Sequence, residues 1–218
     1  MSKLLENTFR LVNIALVNEF AMVCHKLGIS IWEVIESAKT KPFGFMPFYP
    51  GPGIGGHCIP CDPVFLSWKA KKLGFKTRMI DLASYMNHYM PHYVVKRIEA
   101  LLKQKGTTLK AAKILILGIA YKKDVKDLRE SPALEVIESL MEKKASVAYY
   151  DPLFAYLKIH GIDLKRAALA SNSLKRYDCV VIVTDHSNVN YRLIQKNAKL
   201  IFDTRNVYKQ DHENVVRL

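Results

Sequence analysis

Leu5, Phe9, Val12, Leu16, Phe20, Val23 and Leu27 recur at steps of three and four residues. That period predicts one amphipathic helix over residues 3–27 with a continuous apolar stripe, and Gly28 follows as its stop. Ser30-Ile-Trp-Glu33 has capping-box spacing and predicts a short helix to about Thr40. The next segment, KPFGFMPFYPGPGIGGHCIPCDP (41–63), keeps neither the helical nor the strand period. Its large apolar side chains (Phe43, Phe45, Met46, Phe48, Tyr49, Ile54, Ile59) argue for an ordered loop, and loops this long inside compact domains are usually functional or disordered. Asp62-Pro63 reads as the N-cap and first position of a helix ending near Gly74. A further long helix is expected over 78–104, interrupted at Pro91 and closed by Gly106.

From Lys113 the period changes. KILILGI, SVAYYDP, YDCVVIVTDH and AKLIFDTRNV read as strands. SPALEVIESLMEKKA reads as a helix with Ser131 as N-cap and Pro132 in its first position, and short helices are expected in the remaining gaps. Alternating strands and helices predict a parallel, doubly wound sheet. The fold class is thus α + α/β: an all-helical unit over 1–107, then a Rossmann-like unit over 108–218. The loop after the first strand, LGIAYKKDVKDLRES, has one glycine where a dinucleotide fingerprint needs three. It carries Lys122, Lys123, Lys126 and Arg129. An anionic ligand and a merely solvated basic loop both fit.

Composition adds little until charge is counted. Of 218 residues half are apolar and 24% charged, with a net charge of +13. That excess favours anionic partners. No basic run exceeds three residues and aromatics do not interleave with cations, so no nucleic-acid partner is expected. The four cysteines, at 24, 58, 61 and 179, are too sparse for a disulfide framework, and the chain reads as reduced and cytoplasmic. Lys3, Glu6 and Arg10 break the first apolar run, which fits neither a signal peptide nor a membrane span. The first helix starts almost at residue 1 with no lead-in, as in a chain cut from something longer.

PGPGIGGHCIPCDP (50–63) holds the chemistry. A P-loop fails for want of its Lys and Ser/Thr. Zinc would find His57, Cys58 and Cys61 but no second ligand pair at usual spacing, so no metal is expected. A thioredoxin-type pair wants a βαβ setting, and this one lies in an all-helical unit. A single activated thiol remains, beside the plain alternative of a structural loop with a buried cysteine. Glycines 51, 53, 55 and 56 let backbone pass close to a ligand. Cys58 lies just before a helix N-terminus, whose positive end favours a thiolate, and Asp62 could hold a water or proton donor. Lys3 and Asn7 are i and i+4, so they share a helix face where they could stabilise an oxyanion.

Together these stretches resemble the nucleotide-sugar 6-dehydrogenase family (UDP-glucose/GDP-mannose dehydrogenases) over nearly the whole chain. KLLENTFRLVNIALVNEF is similar to its central helix, GPGIGGHCIPCDP to its catalytic-cysteine loop, LGIAYKKDVKDLRESPALEVIESL with YYDP to its UDP-binding domain, and IFDTRNVY to that domain's last strand and arginine turn. Gly-Gly-His-Cys and TKPFGFMPFYPGPG are similar to members acting on UDP-N-acetylhexosamines, especially UDP-N-acetylglucosamine. The resemblance implies an NAD-dependent oxidation of the sugar C6 alcohol to a carboxylate. Cys58 would be the nucleophile, passing through a thiohemiacetal and a thioester. Lys3 and Asn7 would stabilise the C6 oxyanion, and Asp62 would position water. Tyr49 and Gly55 would line the sugar pocket. Tyr121, Lys122 and Arg205 would contact UDP. Arg129 would reach a cofactor on a neighbouring domain. It also implies a homodimer built on the long helices from residue 3 and from about 78.

The sequence departs from that pattern twice. No G-x-G-x-x-G follows a strand, so the family's N-terminal NAD-binding domain is expected to be absent and the chain to be inactive by itself. The rival expectation is a UDP-sugar-binding or dimerising module without catalysis. Cys61 stands where relatives usually carry an aliphatic residue, and is expected to be a small core filler.

Overall fold

The computed structural model describes residues 1–159 and 161–218. Helix α1 runs over Ser2–Leu27 and ends on Gly28 in the left-handed region (φ 70°). Its buried face is Asn7, Leu11, Ala15, Asn18, Ala21 and Cys24. The predicted apolar stripe therefore points outward, with Leu5, Leu16, Phe20 and Leu27 at least half exposed. Periodicity located the stripe but not the side that is covered. The inner face carries small residues and amides because it lies against two helices and the cysteine loop, where it must come close and satisfy loop backbone. Helix α2 (Ile31–Ala38) is capped by Ser30, whose hydroxyl accepts from the Glu33 N–H at 3.4 Å.

Helix α3 spans Cys58–Lys72, beginning four residues before the expected cap. Asp62 does not cap it. The carboxylate is engaged by α1 instead, and His57 stands at the N-cap position. Helix α4 (Arg78–Gln104) is not interrupted at Pro91. A proline there removes the N–H that would bond the carbonyl of Asn87. The cysteine loop passes that carbonyl, with Gly53 beside it, so the break in the ladder faces a neighbouring strand of chain rather than ending the helix. Helices α3 and α4 both pack on α1.

A 3₁₀ turn (Leu109–Ala111) leads into strand β1 (Lys113–Leu117), helix α5 (Pro132–Glu142) and strand β2 (Ser146–Tyr150). Strands β3 (Tyr156–Ile159) and β4 (Ile162–Lys165), helix α6 (Ser171–Leu174), strand β5 (Cys179–Ile182), helix α7 (Tyr191–Asn197) and strands β6 (Ile201–Asp203) and β7 (Val215–Arg217) follow. The main sheet has the order β2-β1-β5-β6-β7, all parallel, with Leu115 opposite both Ala148 and Val180. Strands β3 and β4 form an antiparallel hairpin where a helix was expected, and β7 extends the sheet beyond the last predicted strand. The architecture is helical, then Rossmann-like. One apolar cluster runs from Trp32, Val94 and Ile98 through Ile116 and Ile137 to Phe202, so the helical and sheet parts bury a common core. The chain order reverses between β1 and β5, and the crevice at the carboxyl ends of such strands is where doubly wound sheets bind ligands.

Candidate active site

The cysteine loop is held from both sides. On the helical side the Gly51 N–H donates to Asn18 Oδ1 at 3.0 Å. Asn18 Nδ2 donates to Asn87 Oδ1 at 3.0 Å, and Asn87 Nδ2 to the Leu11 carbonyl at 3.1 Å. Asn18 and Asn87 were missed in the sequence; a buried-phase asparagine inside an apolar helix is the signal that points to them. On the sheet side the Gly56 N–H donates to the Arg129 carbonyl at 2.9 Å. A Cβ at Gly55 would stand 2.6 Å from both the Glu130 carbonyl and Tyr121 Cβ, and one at Gly51 2.6 Å from Arg205 Nη1. At these two positions a side chain would run into the protein's own second half.

Cys58 is exposed at the first position of α3. The first-turn N–H groups of a helix have no intrahelical acceptors, so an anion there meets the helix's positive end. Asp62 follows one turn later on the same face. It accepts from Asn7 Nδ2 at 2.6 Å and pairs with Lys3 Nζ at 3.2 Å. Arg10 in turn bonds Asn7 Oδ1. The Lys3 hydrogen bond holds the Asp62 carboxyl below its ordinary value against a smaller opposing effect of burial, with Asn7 adding to it. Lys3 is raised by the same bond, then by the charges of Asp62 and Cys58. Lys3, Asn7, Cys58 and Asp62 thus form one group. Cys61 is half-buried rather than a core filler, and burial pushes its thiol up.

The other expected site residues lie around this group. Tyr121 packs on Gly55 and Gly56, and Lys122 is exposed. Arg205 donates from Nε to the Val183 carbonyl at 2.7 Å and lies over Gly51. Tyr49 stacks on Trp32, 6.4 Å between centroids, with its hydroxyl 3.4 Å from Glu36 Oε1. Arg129 is closed on Asp127, with Nη2–Oδ2 at 2.7 Å.

Behind the basic loop lies a buried knot that the sequence did not disclose. Asp151, at the end of β2, accepts from the N–H groups of Ile119 (2.7 Å), Ala120 (3.1 Å) and Leu153 (2.8 Å). His186 Nε2 lies 3.0 Å from the same carboxylate. Its Nδ1 accepts from the Asp124 N–H at 2.9 Å, which leaves the ring proton on Nε2. Asp124 is held by Ser187 through N–H (2.8 Å) and hydroxyl (2.6 Å).

This knot bears on a dinucleotide. A pyrophosphate in a Rossmann unit needs the free N–H groups of the turn after the first strand. Here Ile119 and Ala120 give theirs to Asp151, so this sheet does not fit NAD at that turn. Among the described residues no cluster of three or more potential metal ligands occurs, and no helix is long and apolar enough to cross a membrane.

The profile of the UDP-glucose/GDP-mannose dehydrogenase central domain matches residues 1–89, and that of the family's UDP-binding domain residues 115–210. A UDP-N-acetyl-D-mannosamine dehydrogenase of Methanococcus maripaludis is 38% identical over 95% of this chain and 47% of its own length. An NDP-N-acetyl-D-galactosaminuronic acid dehydrogenase of Ralstonia nicotianae is 35% identical over 95% of this chain and 48% of its own. The solved UDP-D-ManNAc dehydrogenase of Pyrococcus horikoshii superposes with a TM-score of 0.84 at 34% identity, covering 100% of this chain and 50% of that one. The chain spans about half the length of the curated relatives it matches, and it belongs to the UDP-glucose/GDP-mannose dehydrogenase family, carrying that family's central and UDP-binding domains.

Proposed function

We propose that this chain forms the nucleophile-bearing and UDP-sugar-binding part of an NAD-dependent dehydrogenase that oxidises the C6 alcohol of a UDP-N-acetylhexosamine to a carboxylate. The observation that carries it is the group Lys3, Asn7 and Asp62 around an exposed Cys58 at the start of α3. NAD would be held mainly by the portion of the relatives that this chain does not span, and two NAD+ in turn would accept the hydrides that leave C6, one from the alcohol and one from the thiohemiacetal. The thiolate of Cys58 adds to C6 at the aldehyde level, and Lys3 and the Asn7 amide stabilise the oxygen that becomes negative. A covalent link keeps the aldehyde from leaving. At the thioester level Asp62, held ionised by Lys3, positions the water that releases the acid and regenerates the thiol.

Tyr121, Lys122 and Arg205 serve the UDP phosphates, with Gly55 and Tyr49 on the sugar side and Arg129 toward the cofactor. The bond Arg129 makes to Asp127 must then open. For the sugar, the relatives' names favour the N-acetylmannosamine epimer over the N-acetylglucosamine suggested by the loop motifs. We also infer a homodimer through the outward stripe of α1. The test joins this chain to its NAD-binding half and follows NADH with UDP-N-acetylglucosamine, UDP-N-acetylmannosamine and UDP-glucose. Turnover of an acetamido sugar supports the reading. Binding of UDP-sugar with no turnover favours a binding module, which the occupied amides of Ile119 and Ala120 would suit.

A further inference from the structure

A cavity of about 300 Å³ lies between the α1–α2 turn, α4 and the final strand, and none of the residues grouped around Cys58 lines it. His25, Trp32, Arg97 and Arg217 line it. Arg97 is only 7% exposed. Its guanidinium has five N–H donors, yet its bonds are two at 3.5 Å, to Tyr93 Oη and the Arg217 carbonyl, and its planar face lies 5.3 Å from the Phe202 ring. Among the described residues no carboxylate pairs with it. A buried cation without a counter-charge is costly. Trp32 is 4% exposed, and among the described residues its buried indole N–H has no acceptor, another cost of the same kind. Asp211, which also lines the cavity, is already held by Arg217 at 2.5 Å. His25 is lowered by burial and then by the charges of Arg97 and Lys26.

We propose that this cavity is a binding site for a small oxyanion, the phosphate or carboxylate group of a metabolite, held by the Arg97 guanidinium beside the Trp32 ring. The counter-charge that Arg97 lacks is what such a group supplies, and the guanidinium fork matches its geometry. Trp32 also stacks on Tyr49 of the cysteine loop.

The chain has two tryptophans, so it gives two indole N–H signals. They are told apart in the Trp68→Phe variant, because Trp68 lies exposed on α3. In the ¹⁵N-labelled 218-residue chain, titration with inorganic phosphate, and separately with malonate, is expected to shift the Trp32 signal saturably and leave that of Trp68 in place. Whichever anion does so names the ligand's charged group. Arg97→Gln is expected to weaken the response at least about tenfold. If that variant does not fold, Arg97→Lys, which loses the planar fork, replaces it with the same expected direction. A Trp32 signal that stays still, that moves equally with sodium chloride at matched ionic strength, or that keeps its affinity in a folded Arg97 variant overturns the proposal.

Discussion

Asp62 accepts from Lys3 and Asn7 on an open face beside an exposed thiol. Asp151 accepts from three backbone N–H groups and His186 with none of its surface in solvent. Both carboxyls lie below their ordinary value, for different reasons. At Asp62 the largest influence is one mobile lysine. At Asp151 burial pushes up, and His186 with the N–H groups of Leu153, Ile119 and Ala120 outweighs it. A partner that is two-thirds exposed, as Lys3 is, contributes little to folding but can move to a reacting atom. A carboxylate surrounded by fixed donors cannot move and fixes the loop around it. One kind of residue is thus set once in an open, adjustable group, where the proposed chemistry needs it, and once in a fixed, buried one. Burial of its donors tells which.

The sharpest break of that comparison is to change the open group. Cys58→Ser, in the chain joined to the proposed NAD-binding half, is expected to lower NADH formation by at least about 10³-fold. Its melting temperature should stay within about 2 °C, because the side chain is exposed. Asp151→Asn should do the reverse, destabilising by about 3 kcal/mol, or a fall of roughly 6–12 °C in a domain of this size by scanning calorimetry.

The same residue sets a pH window. Its folded value lies below the unfolded 3.8, so its contribution is complete above about pH 4 and is lost as pH falls through the folded value. Urea melts at pH 2–5 should show the native chain losing stability that Asp151→Asn never had. Asp203 runs the other way. Burial raises it, so its contribution is lost as pH rises.

Gly55→Ala sharpens the contrast where the two regions touch. The added Cβ meets the Glu130 carbonyl and Tyr121 Cβ, both at 2.6 Å. It should cost about 1–3 kcal/mol by chemical denaturation and loosen UDP binding by calorimetry. Phe20→Glu, on the outer stripe, should change stability by no more than about 0.5 kcal/mol and yet shift the chain toward monomer by light scattering. An unchanged mass would contradict the proposed dimer through the stripe.

Local signals made much of this legible. Ser30, Gly28 and Ser131-Pro132 fixed helix ends, and unbroken apolar runs announced β1 and β5. Where the reading failed, a stronger distant contact had overridden a local rule. Asp62-Pro63 has the form of a helix start, but Asn7 and Lys3 claim the carboxylate and the helix opens at Cys58. Ser131 takes the N-cap position without using its hydroxyl. Pro91 has the form of a break, and α4 absorbs it. The stripe on α1 was seen, but period alone could not say that small residues and asparagines face inward. The Asp124–His186–Asp151 knot joins residues 62 and 35 positions apart, so no local pattern could reveal it. The group at the thiol was legible because Lys3, Asn7, Cys58 and Asp62 come as two one-turn pairs on two helices.

The most direct test of the account is protection of Cys58. The 218-residue chain is treated with iodoacetamide with and without UDP-N-acetylhexosamine, and alkylation of each cysteine is followed by peptide mass spectrometry. Cys58 should react ahead of the buried Cys24 and Cys179, and the nucleotide sugar should slow Cys58 while UDP alone slows it less. Equal alkylation of Cys58 with and without the nucleotide sugar, at concentrations where UDP binding is seen by calorimetry, would contradict the claim that the thiol faces the sugar.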